Sequence, residues 1–256
     1  MRLDNYLAET GKFSSRTKAK EAIERGEVLV NGKAAKPSLE VDGTENISFT
    51  EGAGKYVSLG AFKLERAFEV FDFSVKDKIV ADVGASTGGF TQILLFHGAK
   101  KVYAVDVGES LLHPSLQADG RVVPIENFNA RYLSAGALGE YMDAVVSDVS
   151  FISLTYILGG ISSCLKSGGE AVVLIKPQFE CGRQFLSKSG IVTDKNARLN
   201  ACLNVFNYAK SLSLNASGFA PAPIKEGKNV EFLLHLVKEG TPSVTEEHLR
   251  YICIKS

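Results

Sequence analysis

The sequence predicts a doubly wound α/β sheet preceded by a small basic α+β domain. Three observations carry that prediction. An apolar run, Lys78 to Val83, leads into the turn Gly84-Ala85-Ser86-Thr87-Gly88-Gly89 and then into an apolar-rich helical stretch, Phe90 to His97. Strand, glycine turn and helix in that order form the nucleotide-binding corner of such a sheet. Strand and helix candidates then alternate, with strands at 78–83, 101–106, 122–126, 143–148, 170–176, 217–220 and 229–237, and helices near 89–97, 109–117, 153–166 and 195–213. The third observation is charge. The whole chain is balanced, 29 Lys+Arg against 29 Asp+Glu, yet residues 1–36 hold eight basic residues against five acidic ones.

In chain order, Leu3, Tyr6 and Leu7 have helical spacing. Ser14 or Ser15 caps a second helix, Arg16 to Arg25, with Ala19, Ala22 and Ile23 on one face and Gly26 as its stop. Val28 to Val30 reads as a strand, Asn31-Gly32 is a strong hairpin signal, and Val41 to Phe49 supplies further strand. Arg2, Arg16, Lys18, Lys20, Arg25 and Lys33 gather on this basic helix and hairpin, a surface that can follow a phosphate backbone; a solvated helix face is the plainer alternative. The organisation expected is residues 1–50 as this domain, 51–57 as a Gly-rich linker around Glu51 to Gly54, 58–240 as the sheet domain, and 241–256 as a surface helix or disorder. A helix before the sheet runs to about Phe71 and carries Lys63.

The glycine turn departs from the dinucleotide fingerprint, because Ser86 stands where G-x-G-x-x-G has its second glycine. Asp106 ends the next strand, about where an acid grips a ribose diol. Turn and acid alone fit NAD or S-adenosylmethionine; the missing glycine and the early Asp82 favour S-adenosylmethionine. Gly84, Ser86, Gly88 and Gly89 then face its methionine part and Asp106 its ribose, while Asn129, after the third strand, is a candidate adenine contact. Active-site groups of an open α/β sheet collect at the carboxyl ends of strands, where Asp148 and Lys176 stand. A lysine closing an apolar strand needs a partner, and Asp148 on the neighbouring strand supplies one.

Composition excludes several classes. Cys164, Cys181, Cys202 and Cys253 form no C-x-x-C pair, which argues against zinc and a disulfide framework and suits a reducing cytosol. The four histidines lack ligand spacing, so no metal is expected. No apolar stretch approaches the ~20 residues of a membrane span, and the charged start Met1-Arg2-Leu3-Asp4 is unlike a signal peptide.

Longer motifs add a family resemblance. R-L-D-x-x-L, S-R-x-x-A at Ser15 to Ala19 and I-x-x-G-x-V-x-V-N-G at Ile23 to Gly32 resemble the S4 RNA-binding module. Lys63, Asp148, Lys176 and Glu231 stand where FtsJ-type 2′-O-ribose methyltransferases carry a K-D-K-E tetrad. With Asp82 to Phe90, Ser147 to Leu154, Ile175 to Glu180 and Gly190-Ile191-Val192, the chain resembles the TlyA family, often labelled hemolysin A. The family's V-S-R-G-G-x-K-L reads here with Leu59 for the arginine and Ala61 for the second glycine. The resemblance implies an S-adenosylmethionine-dependent cytoplasmic enzyme, with Asp82, Gly84, Ser86, Gly88, Gly89, Phe90, Asp106, Asn129 and Asp148 at the cofactor. It also implies transfer of methyl to a cytidine 2′-hydroxyl of ribosomal RNA. The start at Arg2-Leu3-Asp4 favours large-subunit (23S) RNA alone, with 16S RNA as the alternative. Phe179 is a candidate base-stacking residue. Monomeric behaviour is compatible with the sequence. The alternatives are a non-catalytic RNA-binding or ribosome-assembly protein and, from the family label, a membrane-active hemolysin.

Overall fold

A computed structural model describes residues 1–13, 15–24, 26–49, 56–223 and 227–256. The chain forms two compact units, Met1–Leu59 and Gly60–Ser256. Ser14, Arg25 and the proposed linker Glu51 to Gly54 lie outside the described residues.

In the first unit, α1 (Leu3–Glu9) and α2 (Arg16–Glu24) precede β1 (Val28–Val30), β2 (Lys33–Ala34) and β3 (Ile47–Phe49). The antiparallel sheet has the order β2-β1-β3. Asn31 and Gly32 both have positive φ, 51° and 75°, as a two-residue primed turn requires. Leu3, Leu7, Ala19, Ala22, Ile23, Val28, Val30 and Val41 are buried together, so the helical spacing read from the sequence is the core-facing stripe.

The second unit begins with α3 (Gly60–Val70), then β4 (Ile79–Val83), α4 (Gly89–Phe96), β5 (Lys101–Val105), α5 (Pro114–Gln117), β6 (Val122–Ile125), α6 (Ala135–Leu138) and β7 (Met142–Ser147). It continues with α7 (Leu158–Cys164), β8 (Leu165–Ile175), α8 (Pro177–Glu180), α9 (Lys195–Ser211), β9 (Leu214–Pro221), β10 (Phe232–Lys238) and α10 (Glu246–Lys255). Seven strands form one sheet in the order β6-β5-β4-β7-β8-β10-β9. β4 to β8 pair in parallel, and β10 runs antiparallel to both neighbours. Chain order reverses on either side of β4, which places a switch point at the glycine turn. The central strands are apolar on both faces, as in Ala144-Val145-Val146 and Val172-Val173-Leu174, because helices cover both sides.

Three expectations need correction. The helix expected over 109–117 is one turn, Pro114–Gln117, because proline biases its predecessor out of the helical region; His113 is extended and its ring nitrogen accepts from Ser115 N–H. The helix expected over 153–166 breaks into a 3₁₀ turn, Leu154–Tyr156, capped by Ser153, and then α7. The last strand begins at Phe232, so Glu231 precedes it. The segment 241–256 carries a surface helix, α10, with Leu249 and Cys253 turned into the core.

Candidate active site

The site is built at the carboxyl edge of the parallel strands. β4 ends at Val83 beside Ser147 of β7, so Gly84 and Asp148 emerge side by side. β8 ends at Ile175, which delivers Lys176. The antiparallel direction of β10 matters here: Phe232 pairs with Ile175, so Glu231, just before β10, reaches the edge where Lys176 leaves β8. Lys63 comes from the first turn of α3.

These four side chains form a continuous charged chain. Glu231 Oε2 lies 2.8 Å from Lys63 Nζ, which lies 3.3 Å from Asp148 Oδ2. Asp148 Oδ1 lies 2.6 Å from Lys176 Nζ. Gln178 Nε2 donates to Glu231 Oε1 at 3.2 Å. Two cations and two carboxylates alternate, so each charge has an opposite neighbour. Burial opposes the Lys63 ammonium, but Asp148 and Glu231 outweigh it and hold its pKa above the ordinary lysine value. Lys176 is the most buried member, its side chain 8% exposed. Removing one member of such a chain strands a charge in a poorly solvated place.

Beside this chain lies a cleft of about 460 Å³ whose wall includes Gly84, Ser86, Asp106, Asn129, Asp148 and Ser150. Gly84 has φ 87°, and a Cβ there would approach Val149 to 3.1–3.2 Å, so glycine lets the two turns meet. Ser86 also has positive φ, 48°, and its N–H donates to Asp106 Oδ2 at 2.8 Å; Gly108 N–H donates to Oδ1 at 2.9 Å. Asp106 is therefore a fixed acceptor at the β5 end. Asn129 lines the cleft while its Oδ1 accepts from Arg131 N–H. Val107, Leu111 and Phe128 add an apolar stretch of wall. A fixed carboxylate, a tight glycine turn and an apolar slot fit an adenosine-containing cofactor.

The remaining proposed cofactor residues stand behind the wall. Asp82 is fully buried and accepts from Thr91 Oγ1 at 2.7 Å. Burial pushes its pKa up to about 7, against the opposing Thr91 hydrogen bond. Gly88 caps α4 with φ 94°, and a Cβ there would strike Leu116 and Leu112 side chains at 2.3 and 2.8 Å. Gly89 and Phe90 are buried in the first turn of α4. These residues shape the turn from within and do not line the cleft.

The sequence reading missed Ser150 and Phe151. Ser150 lines the cleft and its Oγ accepts from Lys176 Nζ at 2.7 Å. Phe151 is 90% exposed, has φ 63° and also lines the cleft. Phe179, the proposed stacking residue, packs against Phe151 with ring centroids 5.0 Å apart and is absent from the cleft wall. Both missed residues lie in Ser147-Asp148-Val149-Ser150-Phe151, where the polar turn after an apolar strand was the available signal.

In the first unit, the guanidiniums of Arg2 and Arg16 converge on one buried carboxylate. Arg2 Nε and Nη2 each donate to Asp4 at 3.1 Å, and Arg16 Nε donates to Asp4 at 3.1 Å. The Arg2 hydrogen bonds, with Arg16 assisting, hold the Asp4 pKa down to about 2 against its burial. Lys18, Lys20 and Lys33 are exposed, Lys20 lying 3.8 Å from Glu24. Arg25 lies outside the described residues. Among the described residues no helix is long and apolar enough to cross a membrane, and no group of three or more His, Cys, Asp or Glu is placed to hold a metal.

Comparison with known proteins agrees with this architecture. A family model for FtsJ-like methyltransferases matches residues 56–238, and one for the S4 domain matches residues 1–47. Hemolysin A of Brachyspira hyodysenteriae is 43% identical over 240 residues, covering 93% of this chain and all of the relative. The 16S/23S rRNA (cytidine-2′-O)-methyltransferase TlyA of Mycobacterium tuberculosis is 40% identical over 238 residues, covering 92% of this chain and 89% of the relative. A solved structure of a protein described as a hemolysin from Streptococcus thermophilus superposes with a TM-score of 0.79 at 36% identity, covering 100% of this chain and 94% of that one. Its sheet topology, its S4-matching first unit and its similarity to relatives along nearly the whole length place this chain in the FtsJ-like methyltransferase family, among the TlyA/hemolysin A proteins.

Proposed function

We propose that this protein methylates the 2′-hydroxyl of a cytidine in ribosomal RNA, with S-adenosylmethionine as donor. The observation that carries this reading is the Glu231–Lys63–Asp148–Lys176 ion-pair chain abutting a cleft that ends in Asp106. The name of the Mycobacterium tuberculosis relative supports the substrate class. Large-subunit RNA is the first substrate to test and small-subunit RNA the second.

The cleft residues fit the cofactor as argued above. Asp106 takes the ribose diol, the apolar wall of Val107, Leu111 and Phe128 takes the adenine with Asn129 at its edge, and Gly84 and Ser86 leave room for the amino-acid part. Bound there, S-adenosylmethionine supplies an electrophilic methyl group. A ribose hydroxyl is a weak nucleophile, so the protein must position it and favour loss of its proton. Asp148 is the one tetrad member in the cleft wall, and its carboxylate orients the hydroxyl, receives its hydrogen bond and takes up the proton that the hydroxyl gives up. Lys176 Nζ places a positive charge beside the oxygen as negative charge develops on it. Lys63 and Glu231 hold Asp148 in register. Phe151, exposed at the cleft, offers a face to the base of a nucleotide drawn out of its stack. The first unit grips structured RNA through Lys18, Lys20, Lys33 and Arg25, and through Arg2 and Arg16, whose guanidiniums Asp4 holds in place.

The test is transfer of tritium from labelled S-adenosylmethionine to purified large and small ribosomal subunits lacking the modification. Label recovered as 2′-O-methylcytidine is the expected result, and it identifies the subunit. Cofactor binding with no label on either subunit refutes the ribosomal substrate.

A further inference from the structure

The mechanism above uses Lys176 but leaves open what keeps its ammonium aimed at the reacting oxygen. Lysine is a long side chain with several rotatable bonds, and one ion pair fixes a distance without fixing a direction. Three oxygens lie around Nζ: Asp148 Oδ1, an ion-pair contact at 2.6 Å, and two hydrogen-bond acceptors, Ser150 Oγ at 2.7 Å and the Asp148 carbonyl oxygen at 3.4 Å. All belong to the turn that follows β7. Ser150 is the neutral side chain among them, and it lines the cleft, whereas Lys176 does not.

This turn is braced on two sides. Val149 sits against Gly84, where a Cβ would approach it to 3.1–3.2 Å, and Asp148 N–H donates to Val83 O at 3.2 Å. Further along, Glu180 accepts from Ser153 Oγ at 2.5 Å and from Leu154 N–H at 2.8 Å. Between these anchors Phe151 holds a positive φ of 63°, a backbone conformation that a bulky residue keeps only when its surroundings impose it. The Ser150 hydroxyl is thus mounted on a fixed support.

We propose that Ser150 is a positioning residue, the hydroxyl that fixes the direction of the Lys176 ammonium toward the cleft and toward the substrate oxygen. The proposal rests on the methyl-transfer reading and adds a residue to it. Ser150 and Asp148 clamp Nζ from two directions, and Lys63 and Glu231 act on it only through Asp148. Without the hydroxyl the ammonium loses a partner in a site where little water replaces it.

The experiment compares Ser150→Ala, Ser150→Thr and Ser150→Val in the full chain. Threonine keeps the hydroxyl; valine has threonine's shape without it. In Ser150→Ala and Ser150→Val we expect kcat to fall by about 10- to 100-fold, the range for a lost hydrogen bond to a charged group. The RNA KM stays within about twofold, a split expected when only the chemical step is affected. Ser150→Thr restores the rate. Equal kcat in Ser150→Val and Ser150→Thr overturns the proposal. A change confined to the RNA KM also overturns it and makes Ser150 an RNA contact. A second readout needs no turnover: NMR relaxation of the Lys176 side-chain ammonium in the same variants. Greater Nζ mobility in valine than in threonine supports the clamp, and equal mobility refutes it, even if wild-type protein methylates something other than ribose.

Discussion

Asp82→Asn tests whether a buried carboxylate is kept at the expense of stability. Asp82 is fully buried, and burial lifts its pKa from 3.8 to about 7. The folded state therefore favours the neutral acid, and the stability this gives is present in full below pH 3.8 and is lost as pH rises through 7. Between pH 5 and pH 8 the loss is about two pH units' worth, or roughly 2.7 kcal/mol at 1.36 kcal/mol per unit. Asparagine does not ionise, and its amide oxygen can still accept from Thr91 Oγ1. The variant therefore lacks this pH-dependent loss, while other titrating groups are common to both proteins and cancel in the comparison. For a unit of this size the difference corresponds to about 5–10 °C in Tm. Thermal unfolding of both proteins at pH 5 and pH 8 measures it. Asp82→Asn should gain about 5–10 °C over wild type at pH 8, relative to their difference at pH 5. Parallel pH dependences would show that Asp82 titrates near its ordinary value and would refute the argument. A stability gain accompanied by slower methyl transfer marks Asp82 as a residue kept for function.

Other perturbations separate the parts of the site. Lys176→Ala should abolish methyl transfer while calorimetry finds cofactor affinity unchanged, because Lys176 does not line the cleft. Lys63→Ala leaves Glu231 and Asp148 without the cation between them and should lower kcat at least about tenfold; unchanged kcat would remove Lys63 from the mechanism. Gly84→Ala imposes a side chain at φ 87° with its Cβ 3.1–3.2 Å from Val149. It should cost about 1–3 kcal/mol of stability and weaken cofactor binding in calorimetry. Replacing Lys18, Lys20 and Lys33 with alanine should weaken rRNA binding and reduce the log–log salt slope by about two to three in filter-binding assays. An unchanged slope would deny them phosphate contacts.

The sequence carried the architecture best where one physical rule acted alone. The strands β4, β5 and β7 were legible because burial on both faces writes continuous apolar runs. The glycine turn was legible because its geometry demands residues that tolerate positive φ. The charged chain was readable in part: Lys176 closing an apolar strand signalled a buried partner, and Asp148 supplies it. Glu231 was harder, because its position follows from β10 running antiparallel, a property of the sheet that no local pattern records. Elements failed where local signals competed. Pro114 cut short a helix that apolar spacing favoured, and Ser153 started a 3₁₀ turn inside another. For the tail, helix and disorder both stay open in the sequence, because Leu249 and Cys253 are sparse apolar residues in a charged segment and only tertiary packing reveals what they cover. Ser150 and Phe151 escaped for a similar reason, since a serine and a phenylalanine in a turn look ordinary until their neighbours are placed.

At this site the methyl group goes to a ribose oxygen. Methylation at O2′ blocks attack on the adjacent phosphodiester, so alkali cannot cleave that linkage. The most direct measurement is therefore alkaline hydrolysis of rRNA labelled by the wild-type protein with tritiated S-adenosylmethionine, followed by chromatographic separation of mono- and dinucleotides. Label in alkali-resistant dinucleotides, absent when Lys176→Ala replaces wild type, is the result expected. Label in mononucleotides would place the methyl group on a base and contradict the account.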